Sequence, residues 1–183
     1  MNDIQKEILS FWFEETKPEQ WFKSTPEFDQ NIQERFGDLY QKAIDGQLEN
    51  WKEMPEGALA YVILLDQFSR NIYRGKPEAF ATDHQSLKAA KEAVEKGFDQ
   101  RLSSVQKWFL YLPYEHSEDM DDQRESVELF KTIQDEHPIA YDYALRHLVV
   151  IEKFGRFPQR NHILERTNTP EEEEYLAENG MGF

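Results

Sequence analysis

Polar residues able to bind a ligand follow an apolar run within residues 56–75. Positions 58–65 are apolar without a break, and a helix that is apolar on every side is surrounded by other protein. At about 100° per residue, the polar positions after this run fall within an arc of about 140°. They are Asp66, Gln67, Arg70, Asn71 and Arg74. Because unpaired buried polar groups are costly, this face predicts either a bound ligand or internal partners.

A second basic segment, residues 153–166, follows much later in the chain. Its cations are Lys153, Arg156, Arg160 and Arg166, against the single acid Glu165, whereas the whole chain has a net charge of −15. Planar guanidinium groups suit carboxylate and phosphate, so the first hypothesis is an anion pocket formed where the two segments meet. Its arginines would be Arg70, Arg74, Arg156 and Arg160, with Glu118 and Asn161 as further ligand contacts. The alternative is internal ion pairing that fixes the register of helices, with Asp66, Asp83, Glu115 or Glu118 as partners.

Acid–base chemistry is a separate candidate, because a histidine beside carboxylates can transfer protons near neutral pH. The run Glu115-His116-Ser117-Glu118-Asp119 contains one such histidine, and His147 lies in the inward register of a later helix. The candidate catalytic residues are therefore His116, Glu115 and His147. The structural alternative is that Ser117 caps a helix whose dipole the following acids complement, and that His147 is a core histidine bonded to a backbone or tyrosine group.

The aromatic pairs predict core packing, with a ring-lined groove as the alternative. They occur in Phe11-Trp12-Phe13, Trp21-Phe22 and Trp108-Phe109. No histidine pair has the spacing of metal ligands, and the sequence contains no cysteine, phosphate-binding glycine loop, nucleophile elbow or dinucleotide fingerprint. We therefore expect neither a metal nor a cofactor.

Composition limits the partners and the location of the chain. Its 183 residues fit one domain, residues 1–183. A net charge of −15 argues against nucleic acid and anionic membrane surfaces, which attract clustered Lys and Arg. No apolar run approaches the roughly 18 residues of a membrane span, and the N-terminus lacks a signal-peptide pattern. We expect a cytoplasmic protein that binds neither nucleic acid nor membrane, with its oligomeric state open.

Helical periodicity and capping residues predict an all-α fold of about eight helices, because no segment alternates with a period of two. The first covers residues 3–13, a loop follows over residues 16–23, and Thr25 with Pro26 opens the second helix, which Gly46 ends. The central helix covers residues 56–75. The later helices run from about 78 or 83 to 96, from 103 to Pro113, from Ser117, from Pro138 to Gly155, and from Thr169.

Four motifs together resemble one known family. They are Leu65-Asp66-Gln67-Phe68-Ser69-Arg70-Asn71-Ile72-Tyr73-Arg74-Gly75, Ala79-Phe80-Ala81-Thr82-Asp83, Tyr111-Leu112-Pro113-Tyr114-Glu115-His116-Ser117-Glu118-Asp119 and Phe154-Gly155-Arg156-Phe157-Pro158-Gln159-Arg160-Asn161. Their order over nearly the whole chain resembles the bacterial family catalogued as domain of unknown function 924. Ser69 and Gln159 stand where Pro and His are expected. The resemblance implies a right-handed superhelix of antiparallel helix pairs, similar to tetratricopeptide repeats, and it implies no activity and no catalytic residues.

Three functional hypotheses follow. The favoured one is a binding module that holds a small anion or a peptide carboxylate among the arginines. The second is a hydrolase or lyase of a small acidic substrate, with His116 or His147 as base and arginines holding the substrate's charge. The third is a protein-interaction scaffold, which requires an exposed apolar patch of several hundred Å².

Overall fold

The chain forms helices joined by short turns. The computed structural model describes residues 1–180. Its helices are α1 (Asp3–Ser10), α2 (Pro18–Phe22), α3 (Pro26–Ile44), α4 (Pro55–Ile63), α5 (Ser69–Ile72), α6 (Asp83–Glu95), α7 (Ser104–Glu115), α8 (Met120–Lys131), α9 (Pro138–Phe154) and α10 (Pro170–Asn179). The connections include π-helical segments at Phe11–Glu15 and Leu64–Phe68, and 3-10 turns at Glu49–Glu53, Pro77–Phe80, Asp99–Arg101 and Pro158–Arg160.

One continuous helix passes through the middle of the fold. It consists of α4, the π segment Leu64–Phe68 and α5, and we call it the central helix. Every residue from 57 to 69 is buried, as expected for a helix that is apolar on every side. Helices α1, α6 and α7 pack against α4, and α3 packs against the π segment and α5. The polar residues that follow the apolar run are therefore held by protein on several sides.

Large aromatic rings connect the central helix to its neighbours. Phe68 lies 4.8 Å from Phe36 of α3 and 5.5 Å from Trp12, measured between ring centroids. Trp12 in turn packs edge-on against Phe109 of α7 at 5.5 Å. Offset and edge-to-face rings add specific geometry to the burial of apolar area. These contacts fix α7, and the residues at its carboxyl end, relative to the central helix.

Helices α7, α8 and α9 form the second half of the fold. Helix α8 packs against both α7 and α9. Gly155 ends α9 with a left-handed φ of 68°, which the missing side chain makes inexpensive. The chain then turns through Pro158–Arg160 and returns toward the end of α7, where Arg160 donates to the carbonyl oxygen of His116 at 2.9 Å.

Three local predictions are wrong. Helix α2 occupies part of the predicted loop, because Pro18 suits a first helical turn and Gln20 accepts from the backbone N–H of Lys17 at 3.0 Å. Helix α7 continues through Pro113 to Glu115, since burial of its last turns outweighs one missing hydrogen bond. The cap of α8 is Asp119, whose carboxylate accepts from two backbone N–H groups, rather than Ser117.

The prediction of an all-α fold is confirmed, since residues 1–180 contain no strand. The finer prediction of a tetratricopeptide-like superhelix stays a prediction. So does the single domain over residues 1–183, whose last three residues lie outside the described range. In the described part of the chain, no helix has both the length and the apolar character needed to cross a membrane.

Candidate functional site

A pocket of about 590 Å³ lies between α2, α7 and α9. Its volume is within the range of roughly 300–1,000 Å³ that small-molecule sites occupy. Helix α7 and the residue that follows it contribute positions with i, i+4, i+7 and i+8 spacing. Helix α9 contributes positions with i, i+4 and i+8 spacing, so each helix presents one face to the pocket. The lining residues are Pro18, Glu19, Trp21, Phe22, Lys23, Trp108, Leu112, Glu115, His116, Ile139, Tyr143 and His147. Most are apolar, and we call Glu115, His116 and His147 the polar end.

His116 is held by a buried carboxylate of the central helix. Its Nδ1 lies 2.8 Å from Oδ1 of Asp66, a residue with no solvent exposure. Burial alone raises the pKa of Asp66, but the charge of Arg70 and the contacts with His116 lower that pKa below its usual range. Asp66 is therefore ionised, and a carboxylate can only accept a hydrogen bond. Nδ1 of His116 must then carry the hydrogen.

This hydrogen bond leaves Nε2 of His116 with a lone pair. Burial lowers the pKa of His116 below 6.5, and Arg70 adds to that shift, although Asp66 opposes it. The imidazole is thus neutral at pH 7. None of the described residues is hydrogen-bonded to Nε2, and His116 lines the pocket. A neutral imidazole oriented through its other nitrogen is the form that acts as a general base.

Glu115 lies next to His116 in the sequence, in a buried position. It is 4% exposed, and its Oε2 is buried without a hydrogen-bond partner among residues 1–180. Its Oε1 lies 3.3 Å from Nδ1 of His147. Burial, and then the charge of Asp66, raises the pKa of Glu115 well above 4.5. The protonated carboxyl is therefore the favoured form, and it can donate a hydrogen bond.

His147 completes the polar end from α9. Its Nδ1 lies 2.8 Å from the carbonyl oxygen of Tyr143, one turn earlier, so Nδ1 is the protonated nitrogen. Burial lowers the pKa of His147 to about 3, and the contact with Tyr143 opposes that shift only in part. The ring also packs edge-on against Phe157, at 5.4 Å between centroids. His147 is thus a neutral, oriented imidazole.

The side chains of Arg70 and Arg160 lie against the Asp66–His116 pair, and neither lines the pocket. Arg70 binds Asp83 through two hydrogen bonds, of 2.9 and 3.1 Å, and also donates to the backbone oxygen of Asp66 at 2.8 Å. Arg160 lies 3.6 Å from Asp83 and over the ring of Phe80, 4.9 Å from its centroid. Burial, and then the charge of Arg70, lowers the pKa of Arg160 to about 10.

The other predicted arginines pair at separate places. Arg74 binds Asp29 through hydrogen bonds of 2.6 and 3.0 Å. Arg156 binds Glu172 of α10 through two hydrogen bonds of 2.7 Å. Of the arginines predicted to form an anion pocket, none lines the pocket of about 590 Å³. Internal partners thus occupy these guanidinium groups, although Asp29 and Glu172 are not among the partners expected from the sequence.

The other residues predicted to contact a ligand form hydrogen bonds within or beside the ion pairs described above. Gln67 donates to Asp66 at 2.5 Å. Asn71 donates to Asp29 at 2.8 Å, beside Arg74. Glu118 binds Arg166 and accepts from the backbone N–H of Phe157, and Asn161 donates to Asn168 and Glu172 and accepts from Arg166. The structure therefore brings together Asp66, Gln67, Arg70, Arg160 and His116, while the other residues stabilise the loop after α9 and the end of the central helix.

Comparison with known proteins places the chain in a family. A family model described as a bacterial protein of unknown function (DUF924) matches residues 8–180. The chain belongs to the DUF924 family. It is similar to a solved structure of a protein of unknown function from Agrobacterium tumefaciens, at 38% identity, with 96% of this chain and 98% of that chain covered and a TM-score of 0.90. Among curated proteins, none matches the chain.

The polar end gives this DUF924 chain a base and an acid side by side. Nε2 of His116 can take a proton, and the carboxyl group of Glu115 can give one. The two groups differ because Asp66 polarises the imidazole, whereas burial, and then the charge of Asp66, raises the pKa of the carboxyl and favours its neutral form. No group of three or more His, Asp and Glu residues within residues 1–180 has an arrangement that could hold a metal ion.

For the apolar part of the pocket, the sequence favoured core packing and left a ring-lined groove as the alternative. Phe22 and Trp108 are predicted as core, yet Phe22 is 57% exposed and stacks on Trp108 at 5.5 Å between centroids. The signal was present in the spacing, because Trp108 and Leu112 of α7 precede His116, the residue after this helix, by eight and four positions. What the sequence does not contain is the position of α2, whose rings close the pocket.

Proposed function

We propose that this DUF924 chain is an enzyme of the hydrolase or lyase type that acts on a small organic substrate held in the pocket. His116 is the general base and Glu115 the general acid. One observation carries the proposal: the Asp66-oriented imidazole lines a ligand-sized pocket and sits next in sequence to a buried carboxyl, one oxygen of which has no hydrogen-bond partner within residues 1–180. Perturbed titratable groups gathered in a cleft are typical of catalytic sites.

In both hydrolysis and elimination, every proton that one group releases is taken up by another. In hydrolysis, Nε2 of His116 takes a proton from water as the water oxygen bonds to the acyl carbon. The carbonyl oxygen accepts a hydrogen bond from Glu115, and the imidazolium then protonates the leaving group as its bond to carbon breaks. In elimination, Nε2 takes a proton from the carbon next to a carbonyl group, and Glu115 protonates the leaving group on the adjacent carbon.

A screen of chromogenic esters, amides and β-substituted carbonyl compounds tests this function. We expect turnover by the wild type and a loss of about 100-fold or more in His116→Gln, the range for removal of a general base. His84→Gln is the matched control, because His84 is exposed and outside the pocket. Equal turnover by the His116 and His84 variants would contradict the proposal, as would a wild type inactive on every compound class.

Binding of a small anion or a peptide carboxylate without turnover is the second candidate function. It is supported by the two guanidinium groups, of Arg70 and Arg160, that converge on Asp83. An anion there has to compete with that carboxylate, so we expect only weak binding. A thermal-shift series with phosphate and dicarboxylates on the wild type and Arg70→Ala tests it. A wild type that no anion stabilises would count against this candidate.

A further inference from the structure

The pocket has two regions, apolar walls and the small polar end. Its walls carry the rings of Trp21, Phe22, Trp108 and Tyr143 together with Leu112 and Ile139. The charged side chains that line it, Glu19 and Lys23, are both exposed, so they belong to the entrance. A ligand that matches this distribution has an apolar body and one polar group that reaches the inner end.

The rings of the walls are held in fixed orientations. The indole N–H of Trp21 donates to the carbonyl oxygen of Trp12 at 2.9 Å, and its ring packs edge-on against Phe109 at 4.9 Å. Phe22 and Trp108 are nearly parallel, with 27° between their planes. Preorganised ring faces and edges favour a flat aromatic partner over an aliphatic one of equal size, because ring pairs gain energy beyond their buried area.

The polar end does not supply a charge for an anion. Both imidazoles are neutral, since burial lowers the pKa of His116 and lowers that of His147 to about 3. Glu115 favours its protonated form, and one of its oxygens has no hydrogen-bond partner among the described residues. An ionised carboxylate moved into this end would lose its hydration without gaining an ion pair. An uncharged carbonyl group would lose less and would gain the hydrogen bond from Glu115.

We infer that the pocket takes an aromatic molecule bearing an uncharged carbonyl group, as in an aryl or aralkyl ester or amide. The aromatic ring lies among the rings of the walls, and the carbonyl oxygen accepts a hydrogen bond from the carboxyl group of Glu115. This inference rests on the proposed function, names its substrate class, and replaces the small acidic substrate expected from the sequence with an uncharged one.

Titration of the wild type with three small probes tests the inference by binding alone. The probes are benzamide, benzoate and cyclohexanecarboxamide. Binding of each probe is measured by calorimetry and by the change in fluorescence of Trp21 and Trp108, which line the pocket. We expect benzamide to bind about tenfold or more tightly than benzoate, which carries a charge, and several-fold more tightly than the non-aromatic amide. Equal or tighter binding of benzoate or of cyclohexanecarboxamide would overturn the inference, and so would no binding of benzamide.

Substitutions in the pocket test where the carbonyl group and the aromatic ring of the ligand bind. Glu115→Leu removes the hydrogen-bond donor, and we expect benzamide affinity to fall about tenfold, whereas Glu115→Gln keeps a donor and retains most of the affinity. Phe22 is exposed at the entrance, so we expect Phe22→Ala to lower the affinity for benzamide without disturbing the fold. Val149→Ala, on the outer surface of α9, should leave that affinity unchanged. Unchanged affinity in both Glu115→Leu and Phe22→Ala would refute the site.

These results separate the inference from the proposed function. If benzamide binds as expected but the ester and amide screen shows no turnover that depends on His116, the ligand class stands and the catalytic proposal fails. If turnover depends on His116 but benzoate binds better than benzamide, the catalytic proposal stands and the inferred ligand class fails.

Discussion

Asp66 and His116 are 50 positions apart in the sequence and share the contact on which the proposed chemistry depends. The carboxylate accepts from Nδ1, so the basic lone pair is confined to Nε2, on the side that a ligand can reach. Asp66 touches neither ligand nor solvent in this arrangement and acts through His116, as a positioning residue. Its effect is therefore on the tautomer of the imidazole, which a purely structural role would not change.

Asp66→Asn tests that role. An asparagine can present its amide N–H group to Nδ1 as well as its oxygen, so the imidazole loses its preference for one tautomer. We expect turnover to fall by about 100-fold or more. We also expect the nitrogen chemical shifts of His116, measured by NMR, to move toward the opposite tautomer.

The control for this substitution is Asp121→Asn, since the Asp121 side chain is 91% exposed. It should change neither turnover nor the signals of His116. An Asp66→Asn protein that loses activity while the His116 nitrogen shifts stay those of the wild type would show that Asp66 has only a structural role.

The partners of the arginines could be predicted from the sequence only in part. Asp66, Asp83 and Glu118 were expected as partners, and they pair with Arg70, Arg160 and Arg166. Every acid named beforehand was a plausible partner, yet Arg74 pairs with Asp29 and Arg156 with Glu172. A guanidinium group reaches whichever carboxylate the packing of other elements brings within about 4 Å, and that packing is a property of the whole chain. The sequence identified the cluster of charges and three of its acids, but not the partners of Arg74 and Arg156.

At the scale of the elements, α4 packs so closely against the turn Glu49–Glu53 that one added Cβ atom would clash. Gly57 is buried, and a Cβ atom placed on it would lie 2.3 Å from the carbonyl oxygen of Trp51, in the turn Glu49–Glu53. A backbone oxygen cannot rotate away, so α4 and the turn must separate. We expect Gly57→Ala to lower the free energy of unfolding by about 1–3 kcal/mol, as in overpacked cores, when measured by chemical denaturation.

Gly37 of α3 provides the matched substitution. A Cβ atom there would meet only the side chain of Gln33, whose flexible end can move aside. Alanine is also the better helix former, so Gly37→Ala should raise the free energy of unfolding by about 0.5–1 kcal/mol. Loss of stability in both variants to the same extent would mean that the close contact at Gly57 is not what constrains α4.

The positions of most helices could be predicted from the sequence, because capping residues and prolines mark helix starts locally. Thr25 before Pro26, Ser103 before Gln106 and Thr169 before Pro170 mark helix starts that the structure contains. The π segment Leu64–Phe68 was not readable, because an extra residue in a turn changes which side each side chain faces without leaving a pattern in composition. It is the segment that carries Asp66.

At the scale of the whole molecule, titration of buried groups couples the proposed site to stability. The folded state raises the pKa of Glu115 above its unfolded value, near 4.5. The resulting stabilisation is complete below that value and is lost as pH rises toward the folded pKa, because the unfolded chain releases the proton first. His116 and His147 act in the opposite direction, since their lowered pKa values stabilise the fold above pH 6.5 and lose that effect as pH falls.

Glu115→Gln isolates the first of these effects. Glutamine keeps the size and a hydrogen-bond donor but has no proton to lose, so the variant should gain stability over the wild type as pH rises from 4.5 to 8. The difference in unfolding free energy should grow by at most about 1.4 kcal/mol per pH unit. Urea denaturation at pH 4, 5, 6, 7 and 8 measures it, and Glu125→Gln on the exposed face of α8 is the control, expected to follow the wild type. A difference that does not change with pH would mean that Glu115 is ionised in the folded protein, which would remove the acid from the proposed pair and leave His116 as its only titratable group.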